Sequence, residues 1–136
     1  MIRKYILAAA LVMCCLFVVS PAFAGTATSV NTTNDELNND GDCSLREAIQ
    51  SINTGSSVDN CSITNPIVVP AGTYTLSIPG SDEDANATGD LDILASLSVT
   101  GVSSDTTFIQ ASLASADVGI DRVLHITGTT DVTVSN

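Results

Sequence analysis

The chain has no tryptophan, two tyrosines and three phenylalanines among 136 residues. So few rings make a conventional globular core hard to fill. Stacked Val, Ile and Leu in repeated short strands need few aromatics. Positive charge is also scarce. Four Lys and Arg face fifteen Asp and Glu, for a net charge of −11. Two of the four cations, Arg3 and Lys4, stand at the extreme N-terminus. Such acidity excludes nucleic acid and anionic membrane surfaces as partners and favours cations. Past the first two dozen residues no apolar run is long enough to span a bilayer.

What is present begins with a targeting signal. Arg3 and Lys4 form a basic n-region, Tyr5 to Val19 an apolar core, and Ala22-Phe23-Ala24 a small-x-small cleavage site. The apolar core is too short for a good membrane span, so residues 1–24 are expected to be a signal peptide and the mature chain secreted or held at the cell surface. Cys14 and Cys15 raise a lipoprotein alternative, but Met13 sits where a small residue is wanted. Residues 25–65 then read as a first strand, polar loops and a helix, and residues 66–136 as a series of short strands.

The helix has the clearest signature. Ser44 can cap it, and Glu47 three residues later completes a capping box. Leu45, Ala48, Ile49 and Ile52 follow at i, i+3, i+4 and i+7, so one face is apolar and needs something to pack on. Asn53-Thr54-Gly55 is a stop signal. Cys43 and Cys61 are the two cysteines of the mature chain. In an oxidising compartment an isolated pair is most simply a disulfide; two free thiols are the alternative.

Beyond Pro66 short β-prone runs alternate with turn residues. They are Ile67–Val69, Thr73–Ile78, Leu91–Ile93, Leu97–Val99, Thr107–Ile109, Val123–Ile126 and Val132–Val134. Gly101, Gly119 and Gly128 punctuate them. One side chain in two is apolar in Leu97/Val99, Leu124/Ile126 and Val132/Val134. The expected fold is all-β: a right-handed parallel β-helix, or solenoid, with a short N-terminal capping α-helix. A β-sandwich is the rival.

Cys43-Ser44-Leu45-Arg46-Glu47-Ala48-Ile49 resembles the motif that names the CSLREA-type bacterial exported proteins. Pro70-Ala71-Gly72-Thr73-Tyr74-Thr75-Leu76 is similar to the strand that follows it in these proteins. So are Glu83 to Ile93, Asp105 to Ile109 and Asp121 to Ile126 to later segments. The resemblance implies the capped beginning of a pectate-lyase-like parallel β-helix, and it implies export. It implies no particular reaction. The chain ends inside what looks like another coil, so truncation at the C-terminus is expected.

Candidate chemistry concentrates in one acidic loop. Asp82, Glu83, Asp84, Asp90 and Asp92 offer hard oxygens of the kind calcium takes, although their spacing is not that of an EF-hand. Turn-capping by a solvated loop is the simpler alternative. His125 is expected to point outward, opposite Leu124 and Ile126. Arg122 reads as a surface ion-pair residue, and Arg46 as a structural helix residue, with Gln50 one turn on and acidic partners plentiful. The sequons at Asn31, Asn60 and Asn86 read as incidental. No catalytic residue can be named. The expected function is a non-catalytic scaffold that contacts polysaccharide or a cell-surface partner. The alternative is a polysaccharide lyase or hydrolase.

Overall fold

A computed structural model describes residues 26–112, 120 and 122–136. The expected signal segment, residues 1–24, lies outside the described residues, as does Gly119. The first element is β1, Thr28–Ser29. Helix α1 follows over Leu45–Thr54. Seven further strands complete the order: β2 Ile67–Val69, β3 Gly72–Leu76, β4 Leu91–Ile93, β5 Leu97–Gly101, β6 Thr107–Ala111, β7 Leu124–Ile126 and β8 Val132–Ser135.

Every strand pairing is parallel. One sheet has the order β1-β2-β5-β8, a second pairs β3 with β6, and a third pairs β4 with β7. Ile67 stands beside Val99, Tyr74 beside Ile109, Leu91 beside Leu124 and Leu97 beside Val132. Parallel pairing needs long connections, and the loops and α1 provide them.

The expected all-β solenoid is corrected by this arrangement. The described residues form three small separate sheets of short parallel strands, none closed on another, and a helix that is part of the core rather than an addition to it. Alternation and turn spacing report where strands start and which side chains turn inward. They do not report whether sheets close.

Helix α1 starts where its cap directs. Ser44 Oγ accepts from the Glu47 amide at 3.2 Å, and Glu47 Oε2 accepts from the Ser44 amide at 2.9 Å. It stops at Gly55, whose φ of 66° is left-handed. Leu45, Ala48 and Ile49 are buried, and Ile52 packs against the core from its edge. Their partners include Ile67, Val69, Leu76, Leu91, Ile93, Leu97 and Val99 from the strands. Aliphatic side chains thus fill the centre, with Tyr74 the buried ring.

Cys43 and Cys61 form a disulfide with Cα atoms 5.0 Å apart. It ties the residue before the helix cap to the loop that leads into β2. Among the described residues no helix is long and apolar enough to cross a membrane.

Ile49 is fully buried. Ile49→Asp places an unpaired charge in the centre and is expected to cost about 3 kcal/mol or more. Urea denaturation of the two proteins checks this; an unchanged midpoint would show that the helix does not seal the core.

Candidate functional site

Strand β4 is buried along its whole length, although its middle residue is an aspartate. Leu91 and Ile93 enter the aliphatic core, which puts Asp92 on the opposite face. There the preceding loop covers it, while α1 meets the strand's backbone. Asn86 makes the cover. Its amide donates to Asp92 Oδ2 at 3.0 Å, and its side-chain oxygen accepts from the Asp92 amide at 3.2 Å. Its Nδ2 donates to the Arg46 carbonyl and to Gln50 Oε1. Asn86 is fully buried and left-handed, with φ 62°, a conformation asparagine tolerates better than most residues. Asn53, near the end of α1, donates to the Asp92 carbonyl at 2.7 Å and accepts from the Leu94 amide at 2.9 Å.

Parallel pairing of β4 with β7 sets His125 beside Asp92. His125 Nδ1 lies 2.9 Å from Asp92 Oδ1 and 3.4 Å from Asp84 Oδ1. Ligand atoms of Asp84, Asp92 and His125 fall within 4.8 Å of one another. Burial pushes the Asp92 carboxyl up. The Asn86 amide and His125 act against that, and the charges of Asp90 and Glu83 add to it. Asp92 therefore keeps its proton to a higher pH in the fold than in an unfolded chain. Its contribution to stability is full below the ordinary 3.8 and is lost as pH rises through the raised value.

Residues expected to act together separate here. Glu83 turns its carboxylate onto the amides of Ala85, Ala87 and Thr88. Asp82 is exposed, with φ 57°. Asp90 is buried, and its Oδ2 lies 3.4 Å from Arg122 Nε. Only Asp84 and Asp92, with His125, come within reach of one small cation. One expectation changes. His125 is half-buried against a carboxylate rather than turned to solvent, whereas Ile126 is half exposed. Arg122 makes a surface ion pair, with Asp90 of the acidic loop as its partner. Arg46 is structural, and its acidic partner is Asp35, with the loop carbonyls beside it.

That arginine is the residue whose partners the sequence least suggested. Its side chain is wholly buried. Nε meets Asp35 Oδ1 at 2.6 Å and Nη2 meets Oδ2 at 3.1 Å, a two-pronged ion pair. The remaining N–H groups reach the carbonyls of Gly89 at 2.7 Å, Asp90 at 3.0 Å and Asn86 at 3.4 Å. Gly89 can meet it because the chain doubles back here. A Cβ on Gly89, where φ is +68°, would lie 2.7 Å from the Gly80 carbonyl oxygen. Only the pattern of a helix cation among many acids hinted at this.

A second surface lies on β3 and β6. Tyr74 and Leu76 point inward, which turns Thr73 and Thr75 outward. Their partners Phe108 and Gln110 are exposed beside them, Phe108 by 49%. Gln110 Nε2 donates to Thr75 Oγ1 at 3.0 Å. The result is one accessible ring framed by hydroxyl and amide groups.

Chemically, the first site can share a proton between His125 and Asp92 or offer one nitrogen and carboxylate oxygens to a cation. The second can stack a ring against a ligand and hydrogen-bond around it.

The acidic loop carries its own pH dependence. Burial alone would raise Glu83, but the amides of Thr88, Ala85 and Ala87 and the charge of Arg46 outweigh it and hold the carboxyl below the ordinary 4.5. That stability is present above pH 4.5 and is lost as pH falls through the depressed value. Glu83→Gln is expected to cost about 1–2 kcal/mol at pH 7 and much less at pH 3. Urea midpoints at the two pH values check it; a difference that does not shrink in acid contradicts the assignment. Compared with family models, curated proteins and solved structures, the chain matches none.

Proposed function

We propose that this chain is an exported, non-catalytic scaffold module that contacts carbohydrate through the outward face of β3 and β6. The observation that carries the reading is Phe108, an exposed ring in a chain with almost no rings to spare, set beside Thr73, Thr75 and Gln110. An aromatic face stacks on the C–H face of a sugar, and neighbouring hydroxyl and amide groups fix its orientation. Flat parallel strands hold these side chains at fixed spacing, which suits an extended ligand better than a small one. The chain's acidity selects against polyanionic glycans and leaves neutral ones.

The buried charges support a scaffold role. Arg46, Glu47, Asp92 and Asn86 are all buried, and their polar groups meet backbone groups or the side chains of Asp35, His125 and Gln50. A general base must reach its substrate's proton. Asp92 is covered by Asn86 and His125 and does not meet that condition.

A second reading, an enzyme acting on polysaccharide, draws on one observation. Arg122 and His125 both stand against the acidic segment, which puts a guanidinium and an imidazole beside carboxylates. It is the weaker reading, because the carboxylates concerned, Asp90 and Asp92, are buried.

Affinity electrophoresis through gels containing neutral polysaccharides tests the proposal. Retardation by at least one neutral glycan, reduced about tenfold in affinity by Phe108→Ala with the fold unchanged, is the expected result. No retardation on any neutral glycan would contradict it. So would release of oligosaccharides that stops in His125→Ala, which would favour the enzyme.

A further inference from the structure

Asp40-Gly41 is the one point in the chain at which an aspartate or asparagine is followed by glycine. A glycine that follows an acid presents its amide nitrogen with no side chain beside it. The surroundings leave that nitrogen uncrowded. Both residues are exposed, and a Cβ placed on Gly41 would meet nothing within 4 Å. Gly41 takes φ +99°, which glycine adopts without strain and other residues do not.

The Asp40 side chain folds back toward this nitrogen. Its Oδ1 accepts from the Asp42 amide at 3.3 Å, two residues on, which makes an Asx turn. Such a turn brings the side-chain carbon Cγ round to the peptide nitrogen between the two residues, here that of Gly41. Asn38 Nδ2 donates to the other oxygen, Oδ2, at 3.2 Å and steadies the carboxyl.

The proton on the Gly41 nitrogen already has a base in place. Asp59, from the loop that leads to Cys61, accepts the Gly41 N–H on Oδ2 at 2.8 Å and on Oδ1 at 3.1 Å. The same carboxylate accepts the Asp40 N–H at 3.1 Å. These separations lie within the reach from which a carboxylate takes a proton. An electrophilic carbon, a nitrogen and a base therefore meet in one turn, held there by the fold.

We propose that Asp40 is a site of spontaneous isoaspartate formation in the folded chain, with Asp59 as the base. The Gly41 nitrogen attacks Cγ of the protonated Asp40 carboxyl, its own proton passes to Asp59, and the C–OH bond breaks to release one water. A succinimide ring results. Water then adds to the ring. Opening at Cγ restores aspartate, and opening at the main-chain carbonyl leaves the chain running through Cβ. One water leaves and one returns, nothing is oxidised, and no cofactor takes part. The isoaspartyl link adds an atom to the main chain, so Asp59 can no longer hold both amides. Asn60 is tied to the same turn, through its side chain to the Gly41 carbonyl at 3.2 Å and its amide to the Asp42 carbonyl at 3.3 Å. The Cys43–Cys61 disulfide stands beside these contacts and keeps the two loops joined, so the change stays local. This inference is independent of the carbohydrate-contact face.

The test is prolonged warm incubation of the purified chain at pH 6, followed by peptide mapping. A second Asp40 peptide of unchanged mass, linked through Cβ, is expected to accumulate, preceded by a species lighter by one water. Peptides that carry the other aspartates should stay single. Amide exchange at Gly41 and Asn60 should quicken in the aged chain. Asp59→Asn keeps a hydrogen-bond acceptor but removes the base, and should slow the reaction about tenfold or more. Asp40→Glu should abolish the product. Absence of a second Asp40 peptide would overturn the proposal, and so would formation in Asp59→Asn that is not slowed. If Asp59→Asn does not fold, the parent in unfolding urea decides. Slower formation there supports the fold-held base, and equal or faster formation contradicts it.

Discussion

A single buried guanidinium organises this protein. Arg46 is carried by the helix that seals the aliphatic core, yet its head is spent on parts of the chain far away in sequence. On one side it grips Asp35, and Asp35 Oδ2 in turn accepts from the amides of Ser77 and Ile78 at 2.6 and 2.9 Å. On the other it collects the carbonyls of Asn86, Gly89 and Asp90. Two loops, one of them held at both its ends, and one helix therefore share one ion pair. A buried charge left without partners is very costly, so these contacts stand or fall together.

The same residue explains how so acidic a chain tolerates acids in its interior. Glu47, Asp90 and Asp92 are all buried. Each is compensated differently: Glu47 by backbone amides, Asp90 by Arg122, Asp92 by the Asn86 amide and His125. Arg46 fixes the loop that carries Asn86 and Asp90, so those compensations depend on it. The carbohydrate-contact face is separate from this network. It rests on the pairing of β3 with β6, and its position is set by Tyr74 and Leu76 entering the core.

Local signals were legible in the sequence. Ser44 and Glu47 mark the helix start, Gly55 its end, and Leu45, Ala48 and Ile49 its inward face, because capping and periodicity act within a few residues. The short strands were legible for the same reason. Closure of the sheets into a solenoid was not, since it depends on contacts between segments far apart in sequence, and that expectation fell. The site suffered likewise. Asp82, Glu83, Asp84, Asp90 and Asp92 look equivalent in a row, but one faces amides, one an arginine and one a histidine. Which is which follows from the pairing of β4 with β7 and from the loop folding back over Asp92. Asp35 and Arg46 are eleven residues apart with a polar loop between them, and no local pattern joins them.

The most direct measurement of the account is amide hydrogen exchange on Arg46→Met. Methionine nearly fills the space but cannot meet Asp35 or the carbonyls. If Arg46 is the tie, protection falls together at Ser77 and Ile78, and at Gly89 and Asp92, with a loss of about 3–5 kcal/mol in global stability. If protection at these amides stays at the parent level and stability moves by less than about 1 kcal/mol, the loops are held by something else and the account is wrong.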